Sequence, residues 1–409
     1  MAKVARGDRR TRGGGGDAVA RGTRGPRALA ALGLATICVA SPAAGQRPLP
    51  PGATGWRDAG LGAVRGLTVG PIENAALPGR GYGTDAFARG AAEARRLGAT
   101  WLSITPYGRV FDLAPTGVSL SFEAPHAQNR AAIACAVRMA HAAGLRVMMV
   151  PHLWVETGAW RGELDPGDDA AWARWARGYR AFVLAWAAVA RETEVDLFSV
   201  GVELRTWVTT TRAPSFVDVI HAVRDVYPGP LTYAANWDDV ADTVILGELD
   251  VIGINAFFPL HSENGASFAE LVAGGERAAA AAAEVAAAWE RPVLFTEFGY
   301  TTRRDCAVRP WEWPEHLGAV AVDETAQAEA YYALLRPLLD APWFAGFFAW
   351  RVVADPDDVT QEAEWGFSPR GKQAELVLRD AYRAHWAADG ARPLGAALHR
   401  PASTRIGGF

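Results

Sequence analysis

The chain has 409 residues, 50% of them hydrophobic and 21% charged, with a formal net charge of -4. Such a composition buries a large core, and its slightly acidic balance excludes an electrostatic case for nucleic acid or an anionic membrane as partner. Sixteen tryptophans are many for this length; most belong in a core, but several stand where strands end, and exposed indoles stack on sugars.

In chain order, "MAKVARGDRRTRGGGGDAVARGTRGPR" (1–27) is basic, Gly-rich and free of apolar periodicity, the pattern of disorder. "ALAALGLATICVA" (28–40) is an apolar run of thirteen, too short to span a bilayer. With arginines before it and "SPAAGQ" after it, the segment reads as a secretory signal over residues 1–45 with a long n-region, which predicts export to a periplasmic or extracellular space. The competing explanation is a mis-assigned start that adds a spurious tail. No stable membrane insertion is expected once the signal is cleaved. Residues 46–62 form a Pro/Gly-rich lead-in, 63–388 the body, and 389–409 a polar tail. Cys38 falls in the signal; Cys135 and Cys306 make no framework and are expected to be idle thiols, a disulfide between them being the alternative. No His/Cys cluster has metal-ligand spacing, so no metal or cofactor is expected.

From residue 64, β-rich runs alternate with longer Ala/Arg-rich helical runs. The strands are predicted at "VRGLTVG" (64–70), "TWLSITPYG" (100–108), "LRVMMVPHLWV" (145–155), "LFSVGVEL" (197–204), "LTYAANW" (231–237), "DVIGINAFF" (250–258), "PVLFTEFGY" (292–300) and "FAGFFAWRV" (344–352). Helices are predicted from such runs as "DAFARGAAEARRLG" and "GERAAAAAAEVAAAWE", with Gly98 and Gly144 as stops before the next strand. Eight strands, each followed by a helix, predict a single-domain α/β fold, the (β/α)8 TIM barrel. An open doubly wound sheet is the rival, but no Gly-rich phosphate loop follows the first strand.

Chemistry in such a barrel sits at the C-terminal ends of the strands. Two strands end with a glutamate inside an apolar run: Glu203 in "FSVGVELRTW" on the fourth and Glu297 in "LFTEFGY" on the seventh. Alternation along the strand would put Gly201 and Ser199 on the face of Glu203, leaving space beneath it. Two carboxylates in one cleft suit acid/base and nucleophile roles, one pushed towards its protonated form and the other ionised. Glycoside hydrolysis needs such a pair. Pairing of each glutamate with an arginine, Arg205 or Arg303, is the bland alternative. Lys372, the only lysine after Lys3, is poorly placed for covalent chemistry.

A glutamate on each of these strands is the arrangement of clan GH-A glycoside hydrolases. Together "PVLFTEFGYTTR", "VPHLWV", "FSVGVEL", "INAFFPL" and "GFFAWRVVADPDD…WGFSPRGKQAELVL" resemble glycoside hydrolase family 113 over roughly residues 64–386. The resemblance implies a retaining (β/α)8 enzyme of β-mannanase type, with Glu203 as acid/base and Glu297 as nucleophile. Two positions depart from it. Val202 stands where the clan usually carries Asn and the family a small polar residue, and Phe257 and Phe258 stand where a tyrosine often donates to the nucleophile.

Around the mouth, His152 and Trp154 end the third strand, Asn236 and Trp237 the fifth, Asn255 the sixth and Trp350 the eighth. Trp350 matches the aromatic platform that the resemblance places under the cleaved sugar. His152, Asn236 and Asn255 are read as partners of sugar hydroxyls, against buried-histidine or turn roles. Tyr300 is either a neighbour of the nucleophile or a loop anchor. Glu156 is read as a solvated spare, and Trp311 and Trp313 on the loop 302–320 as walls of a further sugar subsite. The expected function is a retaining glycoside hydrolase acting on a β-linked polysaccharide or oligosaccharide, with β-mannan as the substrate the resemblance implies. The alternative is a barrel that has lost catalysis and serves as a carbohydrate-binding or cell-envelope protein.

Overall fold

The computed structural model describes Trp56 and residues 60–70, 78–313, 319–358 and 366–389. The expected signal, most of the lead-in and the tail beyond Asp389 lie outside the described residues. Among the described residues ten strands form, numbered in chain order. Eight close a parallel barrel: β1 (Val64–Gly70), β2 (Trp101–Ile104), β4 (Arg146–Met149), β6 (Leu197–Val202), β7 (Leu231–Asn236), β8 (Ile252–Asn255), β9 (Val293–Phe298) and β10 (Phe344–Val353). The helices are α1 (Asp85–Leu97), α2 (His126–Ala142), α3 (Asp169–Glu192), the single turn α4 (Arg205–Val208), α5 (Ala213–Arg224), α6 (Phe268–Trp289), α7 (Glu324–Leu335) and α8 (Gln373–Arg383). Among the described residues none is long and apolar enough to cross a membrane.

Local chemistry sets these boundaries. Thr84, Asp168, Ser267 and Asp323 accept backbone N–H bonds at helix starts, and Ser267 forms a reciprocal capping box with Glu270. Gly98 and Gly144 take the positive φ expected of helix stops. Val64, Trp101, Met148, Leu197, Leu294 and Phe348 fill the barrel interior, with Trp56 stacked on Trp101.

The structure departs from the sequence reading at three places. The predicted second and third strands are each cut by a proline, Pro106 and Pro151, which lacks the N–H that a central strand donates. Beyond the cut the chains pair again as a separate parallel ribbon, β3 (Tyr107–Val110) with β5 (His152–Val155), which continues past the barrel's C-terminal rim. After β7 no helix forms; two 3-10 turns, Val240–Asp242 and Leu246–Glu248, carry the chain to β8. Cys135 and Cys306 are free thiols.

Candidate active site

Glu203 follows the last residue of β6, and the strand is not regular there. The β6–β7 register shifts between Ser199 and Val202. A bulge of this kind breaks the two-residue alternation. It turns Gly201 outwards, where an added Cβ would come within 2.8 Å of the Tyr179 hydroxyl and 3.1 Å of Phe216. Val202 instead points into the barrel interior. The expectation that Gly201 shares the face of Glu203 is therefore wrong, and Val202 is part of the floor, not of a sugar contact. Glu203 itself adopts φ 51°, a region costly for a residue with a Cβ. Its N–H donates to Ala234 O at 2.9 Å, and the next N–H, of Leu204, to the Tyr233 hydroxyl at 2.6 Å. These two bonds hold the turn that lifts the carboxylate into the mouth.

Three donors end on that carboxylate. Asn255 Nδ2 donates to Oε1 at 2.9 Å, while Trp160 Nε1 and Arg161 Nη1 reach Oε2 at 3.0 and 3.2 Å. Thr296 donates its hydroxyl to Asn255 Oδ1 at 2.9 Å, which fixes the amide so that its NH2 faces Glu203. Trp160 and Arg161 come from the loop between β5 and α3. A side chain on Gly162 would strike the Trp160 ring at 2.4 Å, so glycine lets the indole fold back towards Glu203. Thr206 ties this loop down by donating to Gly162 O at 2.9 Å. Glu203 thus does pair with an arginine, but with Arg161. Arg205 engages Asp238 and Asp239 and lies over the Trp160 ring, and Arg303 engages Glu312.

Glu297 stands opposite Asn255 in the β8–β9 register and is only 7% exposed. Burial, then the charge of Glu203, pushes it well above the usual carboxylate range; the Arg161 and Arg351 guanidiniums and the Asn255 amide pull the other way. Glu297 therefore feels the charge of Glu203, and both lie beside Asn255, whose amide donates to Glu203. His152 Nε2 lies 3.3 Å from Glu297 Oε1 without the alignment of a hydrogen bond, and neither atom has another partner. Burial, with Arg161 and Arg351 adding to it, keeps His152 well below its ordinary range, hence neutral. Tyr107, at the start of β3, packs its ring 5.1 Å from His152.

The other candidates separate. Trp350 is 5% exposed and packs with Phe257 and Phe367; its ring lies 6.1 Å from His152, and its Nε1 is buried without a partner. Arg351 lies over both Trp350 and Trp313. Trp237 stacks on Trp311 at 5.7 Å, and Trp311 is 44% exposed. Trp154 lies two residues beyond His152 on β5, 43% exposed, with its ring against Phe122. Asn236 spends its backbone N–H on Asp239 and its amide N–H on Asp238, the turn role. Tyr300 is a loop anchor and not a substrate contact: it is fully buried, and its hydroxyl donates to Phe258 O at 2.9 Å. Glu156 is paired with Arg109, not free. The sequence reading missed Trp160, Arg161, Tyr107 and Arg351. Only Arg351, directly after Trp350, carried a signal, its place at a strand end.

Because Trp350 is both buried and at the mouth, Trp350→Ala is expected to cost stability as well as activity. The loss should be about 3–5 kcal/mol, as for other buried tryptophans. Trp350→Phe keeps most of the packing and removes the unpartnered N–H. Thermal melts beside kcat/KM for both variants check this, and a normal kcat/KM per folded molecule in Trp350→Ala would remove Trp350 from the site.

Solved structures carry the same architecture. The β-mannanase of Alicyclobacillus acidocaldarius, a family 113 protein in complex with ManMIm, superposes at a TM-score of 0.68 with 24% identity, covering 79% of this chain and 98% of its own. A family 113 β-1,4-mannanase gives 0.68 at 20% identity, covering 80% and 100%. A family 5 mannosidase of Rhizomucor miehei gives 0.55 at 11%, covering 82% and 95%. At these identities the likeness speaks for the fold. No curated protein matches. The model of Glycoside Hydrolase Family 113 matches residues 81–372, well over half of the chain. The chain belongs to glycoside hydrolase family 113 and is a glycoside hydrolase.

Proposed function

We propose that the protein hydrolyses β-mannan or its oligosaccharides with retention, Glu203 acting as acid/base and Glu297 as nucleophile. The observation that carries this is the convergence of two strand-end glutamates, from β6 and β9, on Asn255, whose amide donates to Glu203 and which stands opposite Glu297 in the register. The names of the β-mannanases it resembles supply the substrate class.

Two carboxyls that share a site do not both ionise cheaply. In the free protein, burial and the charge of Glu203 favour the protonated form of Glu297. A sugar hydroxyl donating to the unpartnered Oε1 of Glu297 stabilises its ionised form, the one that attacks. Glu203 then protonates the leaving oxygen while Glu297 attacks the anomeric carbon. The covalent glycosyl ester is hydrolysed by a water that Glu203 deprotonates. The clan's tyrosine donor is absent, since Phe257 packs against Trp350 and Phe367; His152 is the group that faces Glu297 in its place.

The test is a hydrolysis screen over mannan, glucomannan, xylan, β-glucan and chitin oligomers, with the first-formed anomer read by proton NMR. Release of β-configured mannose ends is expected. An α-configured first product refutes retention. Tight binding of mannan with no cleavage of any polymer returns the binding-protein reading.

A further inference from the structure

Arg161 ties three groups together with one side chain. Its Nε donates to the Leu153 carbonyl at 3.3 Å, its Nη1 to Glu203 Oε2 at 3.2 Å, and its Nη2 faces His152 Nδ1 at 3.5 Å. A guanidinium is a donor only. His152 Nδ1 must therefore accept, and a neutral imidazole that accepts at Nδ1 carries its proton on Nε2. That nitrogen lies 3.3 Å from Glu297 Oε1, and His152 is 1% exposed, so no water competes for the proton.

We propose that Arg161 is a positioning residue for both carboxylates: it holds Glu203 directly, and through His152 it keeps a proton on the ring nitrogen that lies beside Glu297. The role in catalysis rests on reading Glu203 and Glu297 as the reacting pair; the tautomer of His152 does not. Its guanidinium is well suited to this because it is planar and forked, so one rigid group sets two donors at a fixed spacing. The Leu153 carbonyl fixes the fork relative to β5, the strand that carries His152 itself. Lysine, a single point donor, can keep the charge near Glu203 but cannot reach both partners at once. Trp160, beside it, adds a second donor to Glu203 through its one indole N–H, which makes the two neighbours separable by mutation.

The test uses the full chain labelled with 15N-histidine, the His152 signals being assigned by their loss in His152→Gln. In the wild type, Nδ1 is expected at the unprotonated position and Nε2 at the protonated one. In Arg161→Met the ring is expected to gain Nδ1–H tautomer. kcat should fall about 10²-fold while KM stays within roughly threefold, the pattern of misplaced groups rather than lost binding. Arg161→Lys should recover part of kcat. Trp160→Phe should leave the tautomer unchanged. An Nδ1–H ring in the wild type overturns the proposal, and that measurement needs no variant to fold. An unchanged tautomer with unchanged kcat in Arg161→Met overturns it as well. If the wild-type protein cleaves no glycan, the reading of the two glutamates fails, and the tautomer still decides whether Arg161 sets His152.

Discussion

Glu297→Ala is expected to lower turnover by on the order of 10⁴- to 10⁶-fold, the scale seen when a nucleophile is removed from an otherwise intact site. Added azide should restore part of the rate by entering the vacated space and attacking the anomeric carbon from the same side, giving a glycosyl azide of inverted configuration. Glu297→Gln should be as inactive, yet more stable than the wild type. The sign follows from burial. The folded protein holds Glu297 well above the usual carboxylate range, chiefly through desolvation. A group with a raised folded pKa contributes its stability below the unfolded pKa and loses it as pH rises through the folded one. The wild type therefore carries a penalty that grows as pH rises from the unfolded carboxyl's range towards the folded one, with Oε1 buried and unpartnered. Glutamine removes it, by about 1–3 kcal/mol, the penalty for an unmet buried polar group. The melting temperatures of the two proteins should coincide in acid and part by a few degrees as pH rises. Near-normal turnover in Glu297→Ala, or a glutamine variant that is less stable at every pH, would show that Glu297 is a structural residue.

Much of this site is legible in the sequence because a barrel converts strand ends into one rim. Glu203, His152, Asn255 and Glu297 are each found by asking which polar residue closes an apolar run, and the fold brings them together. What alternation could not give is orientation across an irregularity. The shift between Ser199 and Val202 reverses which residues of β6 face inwards, and nothing in "FSVGVEL" marks it apart from the glycine that it turns against Tyr179. Pro106 and Pro151 were visible, and their missing N–H groups account for the cut strands, but the pairing of the two remainders into a ribbon is a tertiary event. Arg161 and Trp160 were hidden for a different reason. They lie in a loop, 42 and 43 positions before Glu203, where no periodicity relates partners. Tyr300 stayed open between two roles because a strand-end tyrosine looks available, and only the structure shows its hydroxyl spent on the Phe258 carbonyl.

Glu203→Ala should fail differently from Glu297→Ala, and the difference is what separates the two roles. Without its acid, the protein should lose roughly 10²- to 10⁴-fold in turnover of natural glycans, the usual contribution of general acid–base catalysis. Substrates whose leaving group needs no protonation, such as a dinitrophenyl glycoside, should still form the covalent ester on Glu297 and then stall, because no base remains to activate water. Pre-steady-state kinetics should show a burst of phenolate followed by slow release. Azide, which needs no base, should relieve the stall by attacking the ester from the opposite face, giving a glycosyl azide of retained configuration. The substitution also leaves Arg161, Trp160 and Asn255 without the oxygen atoms they now donate to. Arg161 is only 20% exposed, so stranding its charge should destabilise the fold, and Glu203→Gln is the necessary control because it keeps an acceptor for these donors. If Glu203→Gln keeps the melting temperature and shows the burst, the loss in the alanine variant is chemical. A glycosyl azide of inverted configuration from Glu203→Ala would exchange the two roles, leaving Glu203, with its arginine and its indole, as the nucleophile.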